Sequence, residues 1–502
     1  YLVVPKPQDY KETEVQVHKD DEVPSIAIIP FDNKGAEEDV FYAYGISADL
    51  ISDCSGAGLI RVASLSDIEK LDYTNLDNTE LSEKLLVRYI SQGTLWKMGN
   101  MFQLSVELYD TKDKKVVWSD RWQEKWDSLP TIKMNLSDGL LKALSTKPKV
   151  AKKVDSINTE AYEYYLKGRY KFHSRINKED TEIAVGFLKK SIILDEGLIE
   201  AKHIIAHAQP TLQESLKLME AIIEEATKLG NKLALAMAYD SKGWFLWNLS
   251  KYELAENSFN NAISLFEELE NRGGISGSLN GLGFVYTFLG QSKSALETWT
   301  MGIKIAEEID DKEELHHLCM HLALFYITEE KYKEAIQLLD KSNKYREVGN
   351  SNISKAIFLH VEGRIDFFKK DYKHAIINFK KSYEILEKLD RKSDNIWSFS
   401  WYILTQVISG KINQGDNLKL IHKRIEDGWL LDIDFLEVHH NLFRIYKELN
   451  DIDKASFYLD LGYNKLSELA EKIENTEYKK SFFHSKWNSK LLADWKTFNK
   501  NK

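Results

Sequence analysis

Small side chains recur forty residues apart along this chain, at Gly243, Gly283, Ala323 and Gly363. Ala255, Ala295, Ala335 and Ala375 follow twelve residues later at the same interval. Large residues come next, Phe259, Trp299, Leu339 and Phe379, and then small ones again, Ala262, Gly302, Ser342 and Ser382. Phe443 and Ala455 resume the register two periods on. A period of this size specifies an array of stacked helix pairs rather than one closed core. Helix axes approach to about 8–10 Å only where the crossing residues are small. The large residue then fills the next layer, and the second small residue admits the helix of the next pair. Each pair buries its face only by stacking, so the array needs caps.

Composition narrows the rest. The 502 residues suffice for at least two domains. The net charge is 68 − 78 = −10 and no basic stripe occurs, which argues against nucleic acid as a partner of this chain. It also gives no polybasic membrane footprint. Cys54 and Cys319 lie in different expected domains, which excludes a disulfide framework and a Cys-rich zinc site. No stretch reaches the roughly 18–20 apolar residues of a membrane span. A membrane is therefore expected only through an anchor upstream of Tyr1, which is not a methionine.

Residues 1–23 are polar and read as a linker or tail. Residues 24–148 have the rhythm of an α/β domain with a mixed sheet. Ser25–Phe31 and Leu59–Ala63 are short apolar strands, and residues 40–54, 79–86 and 128–144 are helical. Arg88–Lys97, Met101–Tyr109 and Lys115–Trp122 form a meander joined by Met98-Gly99-Asn100 and Thr111–Lys114. In the middle strand Phe102, Leu104, Val106 and Leu108 share one face. Ser25–Phe31, Tyr44-Gly45-Ile46-Ser47 opening a helix, Arg88–Leu95, Val106–Asp110 and Val117-Trp118-Ser119 together resemble the TolB-like N-terminal domain family over about 120 residues. That resemblance implies signal input or an envelope assembly and brings no catalytic set. It favours a periplasmic chain, or one anchored in a membrane and facing the periplasm, and leaves the cytoplasm open.

A first helix pair is expected over 158–198, a divergent pair over 199–230, regular units over 232–391, a second divergent stretch over 395–428, and a return to pattern over 432–468. The repeats thus span 158–470, and residues 471–502 read as a capping helix whose Phe482, Phe483, Trp487, Leu491, Leu492 and Trp495 close the last open face. Gly283–Ala295–Trp299–Gly302 and Gly363–Ala375–Phe379–Ser382 resemble the tetratricopeptide signature, stretched from its usual 34 residues to 40. The expected fold is therefore a TolB-like α/β mixed-sheet domain followed by an all-α tetratricopeptide solenoid.

Candidate chemistry is sparse. Gly273–Gly277 is glycine-rich but lacks the following Lys-Ser/Thr of a phosphate loop, and reads as a turn between repeats. Glu313, His317 and His321 stack at i, i+4, i+8, a weak metal candidate. His439-His440 is weaker still. No nucleophile elbow occurs, and no cofactor is expected. A small-molecule enzyme hidden in the α/β domain would require a deep pocket at the strand ends.

The tetratricopeptide resemblance implies a groove lined by the first helix of each pair. Its inward positions are Asp240, Asn280, Met320 and His360; Trp244, Phe284, Leu324 and Arg364; and Trp247, Thr287, Ile327 and Phe367. Arg364 is the only permanent cation in that set, so an amphipathic or extended peptide suits it better than an acidic tail. The leading expectation is a non-catalytic interaction and signal-input scaffold for a protein or peptide. The alternative is the regulatory C-terminal part of a larger bacterial class III adenylate/guanylate cyclase or winged-helix regulator, because the TolB-like-then-tetratricopeptide order resembles the region that follows such domains. The metal-binding aspartates of a cyclase are not in these 502 residues.

Overall fold

A computed structural model of the chain describes residues 24–56, 60–69, 71–144, 158–175, 178–345, 352–410 and 415–500. The tail expected over 1–23 lies outside them. The chain divides into two compact units, with the boundary between residues 148 and 149.

In the first unit, β1 (Ser25–Ile28) is apolar on both faces because it lies between two parallel neighbours. The chain continues through β2 (Asp32–Asn33), α1 (Val40–Gly56), β3 (Arg61–Val62), α2 (Leu65–Glu69), α3 (Asn78–Leu85), β4 (Tyr89–Met98), β5 (Met101–Asp110), β6 (Lys115–Lys125) and α4 (Leu129–Ala143). The sheet order is β3-β1-β4-β5-β6, with β2 paired to β4. β1 runs parallel to β3 and β4, and β4, β5 and β6 form the antiparallel meander. Gly99 takes φ +61° in the tight β4–β5 connection. The motif residues have physical work to do. Ser47 falls inside α1, where its hydroxyl accepts from the Phe31 amide at 2.9 Å and fastens the helix to the end of β1. Gly93 is glycine because a Cβ there would lie 2.8 Å from the Ser105 carbonyl and 2.9 Å from the Phe31 ring. Arg88 closes the β4–β5 end on Asp110 at 2.6 Å. The short β2 and α2 went unforeseen, since two and five residues carry no readable period.

The second unit is all helix. It opens with α5 (Thr159–His173), α6 (Lys178–Leu194), α7 (Ile199–His207) and α8 (Leu212–Leu229). The first helices of the later pairs are α9 (Lys232–Asn248), α11 (Arg272–Phe288), α13 (Lys312–Thr328), α15 (Asn352–Phe368), α17 (Lys392–Ile408) and α19 (Asp432–Glu448), all of 17 residues. Their partners are α10 (Tyr252–Glu268), α12 (Ser292–Glu308), α14 (Tyr332–Lys344), α16 (Tyr372–Lys388), α18 (Gly415–Glu426) and α20 (Ile452–Glu471). Two helices close the chain, α21 (Thr476–His484) and α22 (Lys486–Lys500).

The forty-residue period is two half-periods of twenty. Left-handed residues fall at Gly230, Ser250, Glu270, Gly290, Asp310, Glu330, Lys370, Asp390, Gly410 and Asn450. Each ends a helix, and at all of them but Gly410 the following amide bonds back to the carbonyl five residues earlier, as Lys251 does to Leu246 at 2.9 Å and Gln291 to Tyr286 at 2.8 Å. This αL termination satisfies the last carbonyls and reverses the chain in three residues. Asn231, Asn271 and Asp311 then cap the next helices with their side chains.

The small residues sit at close approaches, as their spacing requires. A Cβ on Gly243 would lie 2.8 Å from the Phe259 ring, and one on Gly283 2.5 Å from Trp299. Phe259 also lies where a Cβ on Gly281 would come within 2.3 Å, so the large residue wedges its own pair as well as the next layer. Three expectations are corrected. Gly273–Gly277 is no turn: it forms the first turns of α11, where a Cβ on Gly274 would meet Phe266 at 2.6 Å. Residues 395–428 diverge only in their second helix, because α17 keeps the register with Ile403 in the small-residue place. The expected single capping helix is two, α21 and α22, and both fold back on the array.

Candidate functional site

The first helices form a continuous wall, joined by a ladder of buried polar contacts. His203 and His207 reach Ser241 at 3.1 Å, linking α7 to α9. Ser278 donates to Asp240 at 2.6 Å, linking α9 to α11. Asn280 joins α11 to α13, donating to Glu314 at 3.2 Å and meeting His321 at 3.0 Å. His317 meets Ser354 at 2.6 Å, and His360 meets Ser398 at 2.9 Å, carrying the ladder through α15 to α17. Asn441 donates to Ser400 at 3.1 Å, and Glu437 accepts from the indoles of Trp397 at 2.7 Å and Trp401 at 2.9 Å. The partners lie 34 to 41 residues apart, so each rung joins one first helix to the first helix of the next pair. Reading the repeats by residue size hides them, and Glu314, Ser354, Ser398 and Glu437 were not foreseen.

The expected groove residues divide along this wall. Asp240, Trp244, Trp247 and Phe284 are half-buried. Trp247 lies 5.8 Å from Trp244, 5.3 Å from Phe284 and 5.7 Å from Phe288, and Phe284 lies 4.7 Å from His321. Leu324 and Thr287 are also half-buried, the latter bonded to its own helix through Gly283. Asn280, Met320, Ile327, His360, Arg364 and Phe367, by contrast, lie inside the wall, covered by the neighbouring helices. Arg364 is 1% exposed, paired with Glu437 at 3.1 Å and laid over Trp401 at 4.8 Å. His360 stacks on Trp397 at 3.6 Å.

Burial sets the electrostatics. Desolvation, reinforced by Asp311 and Glu313, pushes the Glu314 carboxyl up to about 8, against the opposing bond from Asn280. Burial also raises Asp240 to about 6 although Ser278 donates to it. His321 and His360 are pushed down by burial. The thiols are equally removed from reaction, Cys54 raised to about 12 and Cys319 to about 11 by burial. His317 and His321 bond Ser354 and Asn280, and among the described residues no group of three or more His, Cys, Asp or Glu side chains converges on a metal position.

In the first unit, an open cleft of about 1450 Å³ lies over the polar sheet face, lined by Phe31, Asp32, Thr94, Ser105, Glu107 and Arg121 among others. Asp32, Glu107 and Arg121 at its rim are exposed, so the cleft opens to solvent. Among the described residues no helix is long and apolar enough to cross a membrane.

The family model described as tetratricopeptide repeat matches residues 236–268 and 316–348, two segments set two periods apart. The fold is thus a six-stranded mixed-sheet unit followed by a tetratricopeptide-type helical array. A curated relative, "Putative adenylate cyclase 3" of Rhizobium meliloti (strain 1021), is 26% identical over 153 residues, 29% of this chain and 26% of that protein. The match spans about a quarter of that relative's length. Solved structures similar to the chain include a Rap protein complexed with competence and sporulation factor, with 14% identity, coverage of 68% of this chain and 98% of that one, and a TM-score of 0.48. TolB from Acinetobacter baumannii is similar at 18% identity over 25% of this chain and 29% of that one, with a TM-score of 0.20.

Proposed function

We propose that this chain is a non-catalytic recognition scaffold that holds a protein or peptide against the wall of first helices, with α9, α11 and α13 as the main contact. The observation that carries this reading is the half-buried aromatic band Trp244–Trp247–Phe284, held on a wall cross-linked by the Asp240–Ser278 and Asn280–Glu314 bonds. Such a band supplies apolar contact area at little entropic cost, and half-buried aromatics of this kind are where binding energy concentrates. The tetratricopeptide segments at 236–268 and 316–348 support the same reading. In this reading the α/β unit is a TolB-like input domain, on the strength of the motif resemblance over about 120 residues.

The double substitution Trp244→Ala with Phe284→Ala is expected to weaken partner capture at least tenfold while far-ultraviolet helicity stays at the wild-type level. Affinity purification with mass spectrometry supplies the partner, and titration against both proteins supplies the ratio. Unchanged affinity removes this stretch of wall as the site. A second reading places the scaffold as the regulatory part of a protein that also carries a class III cyclase or winged-helix domain. The match to the relative named as an adenylate cyclase favours it. Reading the gene upstream of Tyr1 tests it: a cyclase or DNA-binding domain there supports this version, and a bare signal peptide makes the chain a free-standing adaptor.

A further inference from the structure

The chain folds its own C-terminus onto the wall. α21 is fastened firmly. Glu253, in the first turn of α10, accepts from the amides of Glu474 and Asn475 at 3.0 and 2.7 Å. Ser481 donates to the Leu289 carbonyl at 2.6 Å and receives Gln291 at 2.7 Å, at the α11–α12 turn. Phe482 is buried in one cluster with Leu246, Leu282 and Val285.

α22 is held differently. It follows a break at Ser485, where ψ is 146°, and it is the last described helix. One face carries Trp487, Leu491, Asp494, Trp495 and Phe498, the i, i+4, i+7, i+8, i+11 pattern of a helix laid into a groove. Trp487 stands edge-on to His440 at 5.5 Å with the Arg364 guanidinium 5.9 Å from its ring. Leu491 is fully buried, and Trp495 stacks on Tyr463 at 3.8 Å. Asp494 bonds His440 at 2.8 Å. In the seat beneath, Arg364 pairs with Glu437 at 3.1 Å, and buried Arg444 feels the charges of Asp494 of α22, Glu437 and Glu448. The fit is incomplete. Trp487 Nε1, Arg364 Nε and His440 Nδ1 are buried there without a hydrogen-bond partner, and unmet buried polar atoms cost free energy.

We propose that the seat of α22 on α15, α19 and α20 is a docking site for a partner's amphipathic helix, and that α22 is its resident intramolecular occupant. The preferred ligand has an aromatic residue, an aliphatic one four positions on, an acidic one three further, and then aromatics. This rests on the recognition-scaffold reading and adds the class of partner and its regulation. α22, tethered through the clamped α21, occupies the seat at high effective concentration, so a partner must out-compete it. The unmet N–H of Arg364 and the unmet Nδ1 acceptor of His440 are where a better ligand gains.

The test uses the full chain carrying Trp487→Ala with Leu491→Asp, and a fluorescent peptide of residues 484–502 as probe. The peptide is expected to bind this variant at least tenfold more tightly than the wild type, and Asp494→Lys in the peptide to abolish the gain. Equal binding to both proteins, or no binding to a variant of wild-type helicity, overturns the proposal. Should the variant fail to fold, hydrogen exchange of the wild type decides. α22 amides exchanging at least tenfold faster than those of α19 and α20 support a displaceable arm, and exchange at the same rate makes α22 a fixed cap and overturns it. A wild-type dimer that exchanges α22 between copies assigns the seat to a second copy and overturns the partner helix. Failure of the peptide with partner capture still sensitive to Trp244 and Phe284 removes only this inference; loss of both dependences removes the scaffold reading.

Discussion

Glu314 shows how a single residue couples the wall to pH. Its carboxyl sits at about 8 in the folded chain, above the ordinary 4.5 of an exposed one, because burial beside Asp311 and Glu313 disfavours its charge. The folded chain therefore holds a proton that the unfolded chain releases. That stabilisation is full below pH 4.5 and is lost as pH rises to about 8. Each pH unit in this window costs the folded state up to about 1.4 kcal/mol through this group. Other groups titrate over the same range, so the informative quantity is the difference between wild type and Glu314→Gln. The variant is expected to lose part of the fall in thermal stability between pH 5 and pH 8, read by calorimetry at several pH values. Parallel curves for the two proteins would mean that Glu314 is solvated and charged. At this scale the sequence was readable by size and opaque by polarity. Gly283 and Trp299 announced their contact through spacing. Glu314 is one of 78 acidic residues, and only the coordinates bring it to Asn280.

Among the elements, the helices follow a rule that the glycine pattern shows incompletely. Ten helices of the array end on a left-handed residue in this series, yet only Gly230, Gly290 and Gly410 of them are glycine. Ser250, Glu270, Asp310, Glu330, Lys370, Asp390 and Asn450 take the same conformation with a side chain. That is why the twenty-residue half-period stayed hidden while the forty-residue series of core residues stood out. A Cβ in this region costs about 1 kcal/mol or more. Lys370 is exposed, with φ +63°. Lys370→Gly is therefore expected to stabilise the array by up to about 1 kcal/mol, raising the urea midpoint with an unchanged slope. A lower midpoint would show that the Lys370 side chain itself supports the turn. Gly290 cannot be exchanged in the same way. A Cβ there would come within 2.2 Å of the Ser481 carbonyl, so this turn is glycine because α21 lies against it.

Across the whole helical unit, contacts between distant segments change how the array responds to damage. A linear solenoid passes stability only from neighbour to neighbour. Here Phe482 shares a buried cluster with Leu246, Leu282 and Val285, and Ser481 reaches Leu289 across 192 positions of sequence. The sequence foresaw aromatics closing a last face, and it could not show which face, because a helix pattern states what is buried and never against what. Phe482→Ala removes a ring that is 1% exposed, and substitutions of this kind cost about 3–5 kcal/mol. In a neighbour-only array that loss would stay within α20, α21 and α22. Because the cluster joins α9 and α11 to the C-terminal helices, the loss is expected to spread, with amide exchange accelerating in α9 and α11 as much as in α21 and leaving α13 to α17 the slowest segment. Hydrogen exchange resolved by peptide separates the two cases. Acceleration confined to α20–α22 would reduce the C-terminal helices to an ordinary end cap, and would leave α9 and α11 to derive their order from adjacent repeats alone.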